Sequence, residues 1–396
     1  MANITYLSNQ AGFPVDDNPG GDTPTGTVEW HDSLYYNYYN WWTSAAKTEL
    51  SYSQIGFNQL LNSNRLVFNR DFSFYVYTWA QRAYDVCNLD AGLISSQSLA
   101  IVAPWTMDQP YTTAWNHGGH DKLIYTASRT NGSNKAQILA VDVDTGLYFS
   151  SMTPTQIGAI TGATAYEVYQ HPSLHVVASP DGTKLFTGMA TKLAGYLHQR
   201  FYQIDQNSGG EFTGLTLMSG VAAGSFGQNS LIGCTNNRVL MVKDNSGFAA
   251  QDVTIRDAAD LSLVTTVTLS GGLKFFGTNR AMCGTITKGN FIYFPSFVGT
   301  SFEAASVIGL QLIKLNMTTG SVVGIWDISN PPIESGFTPS GGEVTAEPGN
   351  QMLDGMAFTP GGTLYLSFSN DNQNMGVPSW SPSHQMRNRI FRCTLS

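Results

Sequence analysis

In the stretch WNHGGHD, His117 and His120 stand three residues apart, with Asp121 directly after them. Imidazole nitrogens and a carboxylate are ordinary zinc ligands, but ligation needs them to converge on one point with partners that orient the rings. The two glycines predict a turn ahead of a strand, and a turn alone does not fix that convergence. A second set of candidates is acidic: Glu343, Glu347 and Asp354, in GGEVTAEPGNQMLDG. Paired carboxylates at a channel mouth can do acid–base work on glycosidic bonds. Their spacing here follows no defined motif, and a solvated loop leading into a strand is the expectation.

Other chemistry is missing from the linear sequence. DVDTG and SPDGT are too short for a calcium loop and lack its closing bidentate glutamate. There is no G-x-S-x-G, no glycine-rich phosphate loop and no H-E-x-x-H. These absences lead to the expectation of no catalytic residue, no resident metal, no cofactor and no enzymatic activity. The four cysteines, Cys87, Cys234, Cys283 and Cys393, form no C-x-x-C pair, which argues against a zinc or redox motif.

The densest chemical signal is aromatic. Residues 30–42, WHDSLYYNYYNWW, hold three tryptophans and four tyrosines. Such rings combine a large apolar face with a polar handle, suiting an interface or a sugar-stacking platform as well as internal packing. Tyr35, Tyr36, Tyr38, Tyr39, Trp41 and Trp42 are the expected interface residues, on an arm outside the main repeat.

Those residues must be positioned by a scaffold, and composition indicates which kind. The chain has 396 residues, only 12% of them charged, with 40 glycines. Low charge with many Gly, Asn, Ser, Thr and Tyr residues suits short strands joined by tight turns. A net charge of −8 without a basic run argues against sequence-specific nucleic-acid binding. No run of 18 apolar residues predicts a membrane span, and the N-terminus lacks the basic and apolar regions of a secretory signal. The expectation is synthesis in soluble form inside a cell.

Short apolar strands after polar turns recur at Leu66, Leu123, Leu185, Val239, Phe291 and Leu364, at intervals of 52 to 73 residues. After each of the first five comes a strand, an Asx- or Gly-rich turn and another strand: YDVCNLDAGLI, LAVDVDTGLYF, YQIDQNSGGEF, VTIRDAADLSLV and IKLNMTTGSVV. A further strand precedes each unit, as in HPSLHVVASPDG and MLDGMAFTPGG. Four antiparallel strands per repeat predict an all-β, six-bladed β-propeller, the extra length falling in loops between second and third strands. An irregular β-sandwich is the alternative. The predicted organisation is an arm over 1–54, holding a closing strand and the aromatic segment, and a propeller over 55–396. The last repeat ends at its third strand, RIFRCTLS, and GTVEWHDS is the expected N-terminal strand that completes it. Helix is scarce, with TPTQIGAITG expected to form one turn.

This strand-turn grammar resembles WD40-like, quinoprotein-like and YVTN-type propellers in architecture, without the Trp-Asp and Gly-His signatures of WD40 repeats. At the level of fold, composition and the missing signal sequence, the chain resembles the propeller-containing tail hub or nozzle proteins of short-tailed bacteriophages. The resemblance implies a virion structural protein, made in the host cytoplasm and assembled in the tail. It also implies copies of the chain in a ring around a DNA-ejection channel, contacting neighbouring tail or adaptor proteins. An acidic conduit would repel DNA phosphates. The alternatives are a carbohydrate- or receptor-binding propeller, for which a host surface glycan is the partner, and a propeller hydrolase or lactonase.

The thiols give a direct test. Equivalent strands of adjacent blades lie farther apart than the roughly 7 Å Cα separation a disulfide tolerates. Thiol titration of the denatured, unreduced protein is expected to find all four cysteines free; a lower count would show a bridge and contradict the strand assignment.

Overall fold

The computed structural model describes the backbone of the strands and helix named here. It also describes most side chains within residues 138–163, 176–189, 198–222, 231–242, 252–269, 287–294 and 312–326. Strand β1 (Thr25–Tyr39) comes first. A four-stranded sheet follows, made of β2 (Leu66–Phe68), β3 (Ser73–Thr78), β4 (Ala83–Asn88) and β5 (Gly92–Ser98) in sequential order. The next holds β6 (Met107–His117), β7 (His120–Arg129), β8 (Gln137–Asp142) and β9 (Tyr148–Met152).

Helix α1 (Pro154–Thr161) then leads into a sheet whose first position is filled by two pieces, β10 (Val168–Tyr169) and β11 (Val176–Ala178). Both pair with β12 (Leu185–Leu193), followed by β13 (Tyr196–Gln206) and β14 (Phe212–Leu217). The fourth sheet is β15 (Asn229–Cys234), β16 (Arg238–Lys243), β17 (Gln251–Asp257) and β18 (Leu263–Leu269). In the fifth, β19 (Leu273–Lys274) and β20 (Ile286–Lys288) pair with β21 (Phe291–Gly299), then β22 (Val307–Asn316) and β23 (Val322–Ile328). The last strands, β24 (Met352–Phe358), β25 (Leu364–Ser369) and β26 (Met386–Leu395), pair antiparallel in that order.

These four-stranded antiparallel units are the blades of an all-β propeller, with their inner strands side by side. β24 lies against β2, β2 against β6, β6 against β11, β11 against β15 and β15 against β20. Strand β1 pairs antiparallel with β26 from Val28↔Leu395 to Tyr39↔Met386. Over Thr25–Thr27 it also pairs in parallel with β23, which joins the last two units into one hydrogen-bonded sheet.

One irregularity recurs. Where the third strand passes to the fourth, two residues of the fourth oppose one of the third, which is a β-bulge. The extra residue is Ile94 in β5, Phe149 in β9, Thr213 in β14, Val264 in β18 and Val323 in β23. β1 against β26 shows the same shift, with His31 between Trp30↔Cys393 and Asp32↔Arg392. The turn ahead of the bulge is built from asparagine or aspartate. The Asn207 side-chain Oδ1 accepts from the Gly209 and Glu211 amides, and Asn316 Oδ1 accepts from the Thr318 and Thr319 amides.

The core lies between blades. Leu240 and Val242 pack with Ile292, Phe294, Ile313 and Leu315 of the fifth sheet. Their neighbours Val239 and Met241 pack with Phe186 and Phe201 of the third. Alternate residues of β16 therefore enter different cores, which explains why RVLMV reads as an unbroken apolar run. Helix α1 contributes Ile157 to the core between the second and third sheets. It opens on a capping box, with Thr153 and Gln156 exchanging hydrogen bonds, and closes on Gly162 at φ 76°.

Three expectations need correction. Leu66 begins a first strand rather than a second, the second being β3. TPTQIGAITG forms an eight-residue helix, held by the capping box and by burial of Ile157. The added length is not confined to loops between second and third strands. Residues 194–195 suffice between β12 and β13, whereas residues 329–351 separate β23 from β24.

Phe186 is fully buried where two blades meet, and Leu217 is 50% exposed. Phe186→Ala is expected to cost about 3–5 kcal/mol in chemical denaturation, whereas Leu217→Ala should stay near neutral. Equal effects would contradict a core placed between blades.

Candidate functional site

The predicted interface residues sit in the last sheet. Tyr35 is registered with Arg389, Tyr36 with Asn388 and Tyr39 with Met386, while Tyr38 falls at a register shift. The sequence placed this segment on an arm beyond the closing strand; here Leu34–Tyr39 continue that strand, because their backbone groups extend the ladder with β26. Trp41 and Trp42 lie outside the described residues. Pairing of β26 with β25 adds Phe368 opposite Arg389. Phe368, Arg389 and Tyr35 therefore occupy one row across three strands, aromatic, cationic and aromatic. Two residues along, Asn37 stands opposite Arg387, and near the bulge Asp32 stands opposite Arg392.

Blade five carries a second concentration of chemistry beside β1. Lys314 on β22 is only 6% exposed. Its Nζ lies 4.6 Å from the ring centre of Phe291 and 5.7 Å from that of Tyr293, within cation–π range. Tyr293 stacks with Trp326 at 6.3 Å between ring centres, and Trp326 is registered with Gly26 of β1. Burial lowers the Lys314 pKa and pushes the Tyr293 hydroxyl up to about 12. Gly324 is required here, since a Cβ would come within 2.4 Å of the Trp326 ring. Sequence reading missed this group because its members come from three strands with nothing unusual in any of them.

At the first-to-second-strand turns, side chains join neighbouring blades. Asp181 Oδ1 accepts from Ser179 Oγ at 2.5 Å, Thr183 Oγ1 at 2.8 Å and the Thr183 amide at 3.0 Å. The Asp181 amide donates to Asn236 Oδ1 in blade four, and Lys184 Nζ donates to the Asn236 carbonyl. Thr287 of blade five donates to the Cys234 carbonyl at 3.0 Å. SPDGT is thus a structural turn, bound by its own hydroxyls. Burial alone would raise the Asp181 pKa, but the Ser179 and Thr183 hydrogen bonds and the Lys184 charge together hold it below the ordinary value. The Cys234 thiol is buried, free and shifted upward by burial.

The remaining candidates are dispersed. Glu343 and Glu347 lie outside the described residues. Asp354 lies on β24 at a register shift between Leu353 and Gly355. His117 ends β6 and His120 begins β7, and the two form a registered pair. Among the described residues, no group of three or more His, Cys, Asp or Glu side chains is placed to hold a metal.

No family model matches the chain, and no curated protein matches it. Among solved structures, it is similar to a protein of unknown function from Dyadobacter fermentans, with a TM-score of 0.52 at 8% identity over 93% of this chain and 99% of that one. It is also similar to the Dos1 propeller (TM-score 0.41, 11% identity, 85% and 83% covered) and to a thermostable family-43 glycoside hydrolase (0.39, 12%, 75% and 96%). At these identities the likeness concerns the fold alone. None of these three is described as a phage tail protein. The expectation of no enzymatic activity is corrected, since glycoside hydrolases occur among the structures the chain resembles. That expectation rested on missing linear motifs, and a pair of carboxylates brought together from separate blades leaves no such motif.

The Asp181 turn makes a pH prediction. With its folded pKa depressed, the carboxylate contributes stability that is present above the ordinary value of about 3.9 and lost as pH falls through the folded pKa. Melting temperatures measured from about pH 6 down to about pH 2.5 are expected to fall less steeply for Asp181→Asn than for wild type, from a lower start. Parallel curves would show that the turn contributes nothing to acid sensitivity.

Proposed function

We propose that the chain is a carbohydrate-recognising β-propeller of six blades, with β1 serving as the fourth strand of the last. Two observations support that closure. His31 repeats the bulge of the other fourth strands, and the inner strand β24 lies against β2. The division into an arm over 1–54 and a propeller over 55–396 then becomes a matter of chain order, because part of the arm belongs to a blade.

The observation that carries the functional reading is the row Phe368–Arg389–Tyr35, with Asn37 and Arg387 two residues along. A pyranose presents an apolar face that stacks on aromatic rings and an edge of hydroxyls that needs planar donors and acceptors. Tyr and Phe supply the first requirement, Arg and Asn the second. Low overall charge fits a neutral, polyhydroxylated ligand better than an anionic polymer. Hydrolysis of the bound glycan belongs to the same reading, and Asp354 on the inner strand is the carboxylate to test for it. A tail component assembling as a ring of copies takes second place, resting on acidic composition and the aromatic segment alone.

Glycan-array binding followed by titration calorimetry tests the reading. Wild type is expected to bind a neutral oligosaccharide, and Tyr35→Ala and Arg389→Ala to weaken binding about tenfold or more, the loss of roughly 1.4 kcal/mol. Tyr35→Phe keeps the ring face and should retain most of the affinity. Absence of glycan binding by wild type, or unchanged affinity in folded Tyr35→Ala, would overturn it.

A further inference from the structure

We infer that Asp181–Gly182 is a latent self-modification site, at which the backbone rearranges to isoaspartate once the surrounding turn loosens. The chemistry needs water and an aspartate followed by a residue with no side chain to hinder ring closure. The Gly182 amide nitrogen attacks Asp181 Cγ, a nitrogen–carbon bond forms, and the carboxyl hydroxyl leaves with the amide proton as water. The resulting succinimide then takes up water at either carbonyl. Opening at Cγ restores aspartate. Opening at the α-carbonyl leaves the main chain running through Cβ and Cγ, one carbon longer. Nothing is oxidised or reduced.

The native turn opposes each requirement with a contact. Attack needs the Gly182 nitrogen released, and its N–H donates to the Ser179 carbonyl at 2.9 Å. Loss of water needs a neutral carboxyl. Here Asp181 Oδ1 accepts from Ser179 Oγ, from Thr183 Oγ1 at 2.8 Å and from the Thr183 amide at 3.0 Å, and donors on a carboxylate favour its charged form. Ring closure needs rotation about the Asp181 backbone, whose amide is held by Asn236 Oδ1 of blade four at 3.2 Å. Asp181 is exposed, so water is at hand and these bonds hold the reaction back. A backbone carbon added between residues 181 and 182 disrupts the bond from the Ser179 amide to the Lys184 carbonyl, 2.8 Å in the native turn. It also moves Lys184 Nζ from the Asn236 carbonyl. A passing opening of the joint between blades three and four thereby becomes permanent.

The test ages the full chain in neutral buffer at physiological temperature, either folded or in urea. Isoaspartate is read by enzymatic transfer of a labelled methyl group to its free α-carboxyl. Peptide mapping separates residue 181 from Asn131–Gly132 and Asp354–Gly355, the other Asn-Gly and Asp-Gly pairs of the chain. Folded wild type is expected to stay at background at Asp181, and wild type in urea to accumulate isoaspartate there, a comparison that needs no variant to fold. Folded Ser179→Ala, lacking one donor to the carboxylate, should form it about tenfold or more faster than folded wild type. Thr183→Val, at an exposed position, should act in the same direction. Asp181→Glu, which would have to close a larger ring, should lose the signal at that position even in urea. Accumulation in folded wild type as fast as in urea, its absence from residue 181 in urea, or folded variants no faster than wild type would overturn the inference.

Discussion

Burial of both faces of each sheet is the constraint on which this architecture depends. Where the side chains are described, no blade has a core of its own. β16 sends Leu240 and Val242 to one neighbour and Val239 and Met241 to the other. A blade alone would expose two apolar faces, at about 25 cal/mol for each Å² left in water. Stability is therefore shared across interfaces, and blades must be added until each has a neighbour on both sides. The polar bonds at the turns follow the same logic. Asp181 with Asn236 and Thr287 with the Cys234 carbonyl fix how adjacent blades meet where apolar packing alone would allow sliding.

In the last sheet β26 lies between β25 and β1. The shift at His31 in the β1–β26 pairing repeats the bulge found in the fourth strands of the other units. Cys393 and Cys87 then hold corresponding positions, each opposite the residue just before the extra one. A strand drawn from the far end of the chain makes that junction chemically unlike the others. Asp32, Tyr35 and Asn37 of β1 are registered there with Arg392, Arg389 and Arg387 of β26, and the buried Lys314 lies beside the strand with which β1 also pairs.

Bulges and close approaches tune this frame. The shift near the start of each fourth strand changes which residues face the next blade, and Asx turns set it up by satisfying backbone amides locally. At Gly220 a Cβ would meet the backbone of Ser262 at 2.1 Å, so the chain leaving blade three can press against the turn of blade four. The Gly220 amide bonds the Asp260 carbonyl, and the Arg256 guanidinium reaches the Gly220 and Leu261 carbonyls. Leu261 takes φ 63° within that turn, a left-handed conformation costly for a branched side chain and held by the surrounding bonds.

Much of the fold was legible in the sequence because strand and turn signals are local. NSGG, RDAAD and NMTTG announce their turns through Asn, Asp and Gly, and the strands beside them are too apolar for anything but burial. The extent of β1 was not legible, since LYYNYYNWW has no alternation to distinguish a strand from an arm; pairing with β26 decides it through Tyr39. Helix α1 was underestimated because its stability comes from the capping box and from packing of Ile157 rather than from periodicity. The histidines of WNHGGHD were visible as residues but not as a pair, because two glycines permit many turns and only the ladder of β6 with β7 opposes them. The Lys314 group was invisible for the converse reason: Phe291, Tyr293 and Trp326 are ordinary strand residues until three strands bring them to one face. The sequence by itself determined the elements and the repeat, which depend on neighbours along the chain. Tertiary structure decided the partners, because contacts between strands far apart in sequence depend on register and closure, and no local pattern encodes either.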